Sequence, residues 1–214
     1  MNVLFRFTLL AIFTLGLNGC NDSWTWHQKI TVSVSTPEGI KTASSVMKAR
    51  LAVKGGWWAP PEATGVVTSL SGESVVLEVV PGKHLFALLK GTPHAYTVFF
   101  PDEAPLAIAN KLPGMRKARE LLPRQYPLLV AFGDITNPAS VKRVDPARLD
   151  DAFGAGYRLE SIVLTITDEP VTAGPLLEIL PWLGPYPETP LLSMVRPEDF
   201  SFEAKLRQGN FIRR

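Results

Sequence analysis

The sequence predicts an α+β fold made mostly of antiparallel β-sheet, or a β-sandwich, with a few short helices. Several stretches alternate between apolar and polar residues, which is typical of half-buried strands. One stretch, from Ile108 to Leu122, has the three- to four-residue period of a longer helix. The 214 residues include 19 prolines and 16 glycines, which favour frequent turns and short elements.

An apolar N-terminal segment precedes this domain. Arg6 is the only charge before Asp22, and the chain from Phe7 to Leu17 is apolar apart from two threonines and one glycine. A positive start, a short apolar core and a small-residue boundary are typical of a removable secretory signal. The run is shorter than the roughly 20 residues that a spanning helix needs. We predict a signal segment over residues 1–19, with an uncleaved membrane helix or a signal cut elsewhere as alternatives.

The apolar segment ends in Leu17-Asn18-Gly19-Cys20, and Cys20 is the only cysteine of the chain. This run resembles the lipobox of bacterial lipoproteins, in which the cysteine thiol receives a diacylglycerol before the signal is cut off. Asn18 departs from the pattern, where a small or β-branched residue is usual. The resemblance implies an acylated N-terminus at Cys20, and stable anchoring requires more than one acyl chain. The residues alone also fit a buried cysteine.

Composition limits the function classes. The formal net charge is +2 and the hydrophobic content is 46%. A nucleic-acid-binding protein would be more basic, with its charge gathered on one face. With Cys20 acylated no disulfide can form, so the domain must be held by its own core. The chain after residue 19 is long enough to bury one.

The first predicted elements form a hairpin. Residues Lys29–Ser35 alternate cleanly and predict a strand, Thr36–Gly39 supplies turn residues, and residues 47–54 alternate again. Residues 20–27 are predicted to be a tether that contains Trp24 and Trp26. These indoles either rest at the membrane interface, which tryptophan favours, or begin the first strand.

A loop and a meander of strands follow. Residues 55–61 contain Trp57 and Trp58 between paired glycines and paired prolines. Two such rings are costly in water, so they either fill the core or form a contact for a partner, a sugar or a membrane. The later strands are predicted at 65–70, 74–80 and 84–89, with a hairpin turn at Ser71–Glu73 and a turn at Pro81–Gly82.

The helical stretch begins near Asp102 or Glu103, and Pro113–Gly114 must kink or split it. It carries the densest basic residues of the chain. These either lie against anionic lipid headgroups or form an ordinary solvated face; they are Lys111, Arg116, Lys117, Arg119 and Arg124.

The second half is predicted to alternate strands and short helices. Asp145–Pro146 is predicted to begin a helix that ends at Gly154. In the predicted strand at 157–167, the apolar residues change parity between Leu159 and Ile162, which predicts a bulge or burial on both faces. The other elements are a strand at 126–132 and a helical turn at 175–180. We predict one domain over residues 28–183, with a sub-boundary conceivable near 90–102, and a proline-rich extended tail over residues 184–214.

A set of short motifs supports a family resemblance. With the hairpin from Trp26 to Val53, the set covers most of the chain after the signal; it consists of Phe132-Gly133-Asp134, Asn137-Pro138, Ser140-Val141, Val144-Asp145-Pro146, Phe153-Gly154, Thr167-Asp168, Val171-Thr172 and Leu180-Pro181-Trp182-Leu183. It resembles a group of uncharacterised proteobacterial lipoproteins. The resemblance implies export and a shared fold, and it implies no catalytic residue.

Motifs that could carry chemistry are weak. Ser45 and Lys48 match an S-x-x-K spacing that serves catalysis on a helix, but here they fall in a strand pattern, where positions three apart face opposite sides. His27, His84 and His94 lack the short spacings of zinc motifs. His84 and His94 could still meet an acidic residue in space.

Two further patterns have structural explanations. Gly154-Ala155-Gly156 lacks the third glycine of a dinucleotide fingerprint and precedes a strand rather than following one. Adjacent carboxylates are expected to cap helices or solvate turns; they are Asp102-Glu103, Asp150-Asp151, Asp168-Glu169 and Glu198-Asp199. We therefore predict no catalytic residue, no metal site and no cofactor.

The resulting hypothesis is a bacterial lipoprotein, anchored through Cys20 on the periplasmic face of a membrane, that acts as a non-enzymatic binding or structural component of the cell envelope. Its predicted partners are the lipid bilayer, through the acyl chains, and an envelope protein; nucleic acid is not among them. Leu17 and Gly19 are the predicted recognition residues for signal cleavage. The alternatives are an envelope hydrolase whose groups converge in three dimensions and an accessory subunit of an envelope complex.

Overall fold

The structure is a computed structural model that describes residues 22–55, 65–184, 186–192 and 201–214. The predicted signal segment, Cys20 and the pair Trp57 and Trp58 lie outside the described residues. Within them the predicted fold class is confirmed, because antiparallel sheets dominate and the helices are few and short.

The described residues form ten strands and four α-helices. The strands are β1 (Ser23–Thr36), β2 (Gly39–Lys54), β3 (Gly65–Glu73), β4 (Val75–Val80), β5 (Lys83–Ala87), β6 (Ala118–Glu120), β7 (Leu129–Phe132), β8 (Val141–Arg143), β9 (Arg158–Thr167) and β10 (Ile212–Arg213). The helices are α1 (Ala95–Phe99), α2 (Pro105–Ile108), α3 (Asp150–Phe153) and α4 (Pro175–Ile179), with single 3₁₀ turns at Ala109–Lys111, Pro123–Gln125, Pro138–Ser140, Glu203–Lys205 and Gln208–Asn210. None of the described helices has the length and apolar character needed to cross a bilayer.

Two antiparallel sheets make up the domain. The larger has six strands in the order β10-β3-β2-β1-β9-β6, and the smaller has four in the order β4-β5-β7-β8. The hairpin of β1 and β2 is central, with a register that runs from Ser23 opposite Ala52 to Thr36 opposite Gly39. This confirms the predicted hairpin and its turn.

The first strand begins earlier than the sequence predicts. β1 starts at Ser23 instead of Lys29, so most of the predicted tether belongs to the sheet. Trp26 and Gln28 both point into the core, and both are buried. The inward glutamine interrupts the apolar alternation, and this is why the sequence pattern places the start of the strand too late.

The predicted hairpin at Ser71–Glu73 is wrong. β3 pairs with β2, whereas β4 pairs with β5 in the other sheet. The chain therefore crosses from one sheet to the other at Glu73–Ser74 instead of turning back. Gly72 has φ +133°, a conformation that L side chains rarely adopt, and it provides the bend.

The smaller sheet is buried on both faces because β5 and Leu88, which directly follows it, send alternate side chains to two clusters. Leu85 and Ala87 join the core between the sheets, whereas Phe86 and Leu88 face a second cluster. The C-terminal residues Leu206 and Phe211 complete that second cluster. The prediction of an extended tail is therefore wrong for residues 201–214, which form two 3₁₀ turns and the edge strand β10.

The predicted long helix is split, as Pro113–Gly114 requires, but its second half is not helical. α2 and the turn at Ala109–Lys111 end before Pro113, and β6 follows as an edge strand against β9. The basic residues of this stretch therefore do not share a helix face, which overturns the predicted basic helical surface.

The later elements agree better with the sequence. The register between β1 and β9 shifts so that Ser33 faces Ser161 and Val34 faces Leu159, which leaves Glu160 as the extra residue and confirms the bulge. Asp145 accepts a hydrogen bond from the Ala147 amide, but the helix begins only at Asp150. α4 lies where the helical turn is predicted.

Phe211 tests whether the C-terminal segment is part of the core. Its fully buried ring lies 6.2 Å from that of Phe86 and 5.9 Å from that of Phe132. We expect Phe211→Ala to lower the free energy of unfolding by about 3–5 kcal/mol in denaturant titrations. The matched control, Tyr186→Ala, removes an exposed ring and should change it by less than about 0.5 kcal/mol. Equal small effects would show that residues 201–214 are a dispensable tail.

Candidate functional site

Among the described residues, the outer edge of β3 is unpaired over most of its length, and we call residues 65–71 of this edge the open edge. β10 pairs only with Gly72 and Glu73, and no strand of the described residues pairs with the outer edge of residues 65–71. The Val46 amide and carbonyl bond to Thr172 on the β3 side of β2. Because backbone groups alternate in direction along a strand, the even-numbered residues of β2 bond to the odd-numbered residues of β3.

The backbone groups of the even-numbered residues of β3 therefore point outward. Val66, Thr68 and Leu70 each present an N–H and a C=O to the open edge. Val66 and Val67 are also exposed, at 41% and 39% of their surface. Unpaired edges of this kind are templates for pairing with another chain.

A groove of about 350 Å³ runs beside this edge; we call it the edge groove. It lies between the inner side of β3, the segment that follows β5, and the turn before β10. Its lining residues are Thr68, Ser69, Leu70, Leu89, Lys90, Gly91, Thr92, His94, Gly209, Asn210 and Arg213. Another cavity of about 420 Å³ also borders Arg213 and is lined by the C-terminal residues 212–214, by Leu177 of α4 and by Leu183, Gly184 and Pro187, which follow that helix.

Backbone hydrogen bonds fix the walls of the edge groove. The Leu89 amide donates to the Asn210 carbonyl at 2.9 Å, which ties the two loops together. The Leu128 amide donates to the Lys90 carbonyl at 3.1 Å. Gly91 has φ +81°, and a Cβ there would lie 3.2 Å from the Leu128 nitrogen, so a glycine is required at this close approach.

The buried Gln28 positions the His94 end of the groove. Its Nε2 donates to the Pro93 carbonyl at 2.8 Å, and its Oε1 accepts from the Ala95 amide at 3.0 Å. Trp26 donates its indole N–H to the same oxygen at 3.3 Å. The glutamine therefore holds the backbone on both sides of His94 and satisfies groups that would otherwise be buried without partners.

His94 is the titratable group of the groove that burial perturbs. Burial lowers the pKa of its imidazole below the ordinary value of 6.5, because desolvation disfavours the charged form. Its Nδ1 is buried and has no hydrogen-bond partner among the described residues. The ring stacks on Tyr96 with 5.7 Å between centroids.

Cations flank the open edge on both sides. Lys90 and Arg213 line the edge groove on the inner side. On the outer face of the sheet, β2 exposes Lys48, Arg50 and Lys54, and within the described part of the chain none of these three forms an ion pair. The described residues that line the groove include no carboxylate side chain. The site can therefore offer backbone hydrogen bonds together with a positive potential.

Most residues singled out from the sequence have structural positions elsewhere. Trp26 is buried and Trp24 is half-buried, with its indole N–H bonded to Asn110 Oδ1, so both belong to the first strand. This favours the strand alternative over a membrane contact for these two indoles. Ser45 is buried and donates to the Glu73 carbonyl, while Lys48 is exposed on the other face, which confirms that the S-x-x-K pair is split.

The described histidines and acidic pairs do not form a metal site. His27 donates from Nδ1 to the Glu169 carbonyl, and no group of three His, Cys, Asp or Glu side chains suited to a metal occurs within residues 22–55, 65–184, 186–192 and 201–214. Asp168 pairs with Arg116, and Asp150 lies in the first turn of α3. The predicted contact residues Trp57 and Trp58, like Leu17, Gly19 and Cys20, lie outside the described residues.

Sequence reasoning missed the edge groove. Thr68, Lys90 and Arg213 come from three distant parts of the chain, and no spacing links them. The one available signal was the neutral run from Gly65 to Ser71, which has no charge or proline to protect an edge. It was hidden because the same residues were expected to pair in a hairpin with the next strand.

Comparison of the chain with protein-family models, with curated proteins and with solved structures gave no match.

His94 makes a pH test of the groove possible. Because its folded pKa lies below its unfolded pKa, the unfolded chain binds more protons between the two values, and stability falls as the pH drops through that window. We expect the free energy of unfolding of the wild type to fall relative to that of His94→Asn between pH 7.5 and 5. Denaturant titrations of both proteins measure this difference.

The other titrating groups are common to both proteins, so their contributions to the free energy of unfolding cancel in the difference. If the difference in free energy of unfolding between wild type and His94→Asn stayed constant from pH 7.5 to 5, burial would not perturb this imidazole.

Proposed function

We propose that the protein is an exported bacterial lipoprotein, anchored through acyl chains on Cys20, whose folded domain is a non-enzymatic binding component of the cell envelope on the periplasmic face of a membrane. The edge groove and the open edge of β3 form its binding surface. The role that the open edge favours is that of an accessory subunit, which takes up a segment of another envelope protein.

Two sequence observations support the anchor. The segment 1–19 has the charge and hydropathy pattern of a secretory signal, and Leu17, Gly19 and Cys20 match the lipobox pattern. The resemblance to the group of proteobacterial lipoproteins belongs to the same proposal.

The observation that carries the binding role is the edge of β3 that no described strand covers, and the short span between the proposed anchor and the domain determines where that edge would lie. β1 begins at Ser23, three positions after Cys20, and the Val53 amide donates to the Asp22 carbonyl at 2.9 Å. Three residues span at most about 10 Å. An acylated Cys20 would therefore hold this end of the larger sheet against the headgroups, with the exposed Lys54 and Val66 nearby.

The chemistry of the edge groove supports binding rather than turnover. General acid–base catalysis by carboxylates needs two of them facing one cleft, whereas this groove presents cations, hydroxyl groups and an open strand edge. Such an edge gives affinity through main-chain hydrogen bonds and specificity through alternate side chains.

Cys20→Ala tests the anchor in cells. We expect it to abolish metabolic labelling by radioactive palmitate and to cause the longer precursor to accumulate, because only a thiol at this position accepts the diacylglycerol. Gel mobility and fractionation of membranes report both effects. Asn18→Ala is the matched control, since it changes the neighbouring position toward the usual pattern and should be labelled at least as well as the wild type. Undiminished labelling of Cys20→Ala would contradict the proposed anchor.

A further inference from the structure

The open edge of β3 is unprotected in a way that the opposite edge of the same sheet is not. Residues 65–71 contain no charged residue and no proline. The other edge strand, β6, is only three residues long and carries Arg119 and Glu120. Short length and charge are the usual devices that prevent pairing at an edge. As far as the described residues show, the larger sheet therefore protects the β6 edge and leaves residues 65–71 of β3 without a pairing strand.

We propose that an extended, acidic segment of a partner protein adds to the outer edge of β3 as a further strand. This inference names the partner of the edge groove, and it rests on the proposed binding role of that groove but not on acylation of Cys20. The outward backbone groups of Val66, Thr68 and Leu70 pair with the segment, which continues the line of β10.

The two faces of the added strand meet different surroundings. Side chains in a ladder lie on the same face as the residues they oppose. Residues of the segment opposite Thr68 and Leu70 point into the edge groove, whose volume of about 350 Å³ accommodates them. Residues opposite Ser69 lie on the outer face, with Ser69 between them and Arg50, the partner of Ser69 in β2.

Charge selects an acidic segment on both faces. Inward side chains meet Lys90 and Arg213, and outward side chains meet Lys48 and Arg50 across the small side chains of β3. Arg213 is partly neutralised by Glu188, with 3.4 Å between Nη2 and Oε1. A second copy of this chain would add cations of the same kind at the edge, whereas carboxylates neutralise those already present.

A synthetic octapeptide of alternating glutamate and valine, blocked at both ends, is the probe. Its alternation lets one register place the carboxylates toward the edge groove and the other place them toward Arg50. The titration uses the full chain, purified as the cell processes it, in neutral detergent and follows a dye on the peptide by fluorescence anisotropy. Peptides that carry serine or lysine in place of glutamate are the charge controls.

Two substitutions separate strand addition from simple charge attraction. Thr68→Pro removes an outward N–H without removing a bond to β2, and we expect it to weaken binding of the glutamate peptide at least about tenfold. Arg50→Glu should weaken it several-fold and reduce its dependence on salt. Lys142→Glu is the matched control, because it changes an exposed cation on β8 in the other sheet and should leave binding unchanged.

The amide spectrum of the wild type gives a measurement that does not depend on a variant folding. Addition of the glutamate peptide should shift the amide signals of Val66, Thr68 and Leu70.

Equal binding of the serine or lysine peptide, or binding that Thr68→Pro leaves intact in a protein with a native circular-dichroism spectrum, would overturn the inference. So would the absence of any binding, or a concentration-dependent dimer that Thr68→Pro abolishes, which would assign the edge to a second copy. Palmitate labelling of Cys20 is measured separately, so its result tests the proposed anchor and does not affect the test of strand addition.

Discussion

The crossing of the chain at Glu73–Ser74 is the constraint on which the arrangement depends. Both residues are buried, so each of their polar groups needs a partner. The Glu73 carboxylate accepts from the Gly174 and Leu176 amides at the start of α4, and its carbonyl accepts from Ser45 Oγ at 2.6 Å. Ser74 donates from both its amide and its hydroxyl to the Phe211 carbonyl. One bend thereby joins both sheets, α4 and the C-terminal segment.

The open edge is a consequence of this crossing. Because the chain leaves the larger sheet at Glu73, β4 pairs with β5 instead of with β3, and among the described residues only the two residues of β10 return to that edge. The same departure leaves Val46 of β2 without a neighbouring strand, and Thr172 takes its backbone bonds. The loop that contains Thr172 therefore satisfies the backbone groups of Val46. The outward backbone groups of residues 65–71 are those that the proposed partner would pair with. Stability of the crossing and availability of the edge are therefore two results of one feature.

The sequence predicts local structure here better than it predicts pairing. Alternation and turn residues were sufficient for the β1–β2 hairpin, the bulge at Glu160 and the helical turn at α4. They failed at Gln28, whose inward amide is satisfied only by a distant loop, and at Ser71–Glu73, where a glycine suited to a hairpin instead serves a crossing between sheets. The edge groove could not be predicted because Lys90 and Arg213 come together only through the second cluster around Phe211.

Amide hydrogen exchange along β3 tests the central claim most directly, because it reports each backbone N–H separately. In the full chain without peptide, the account predicts fast exchange at Val66, Thr68 and Leu70. Val67 and Ser69, which bond to β2, should exchange slower by orders of magnitude, and Ser74 should be among the slowest amides. Protection of Val66, Thr68 and Leu70 equal to that of Val67 and Ser69 would show that the edge is already occupied and would contradict the account.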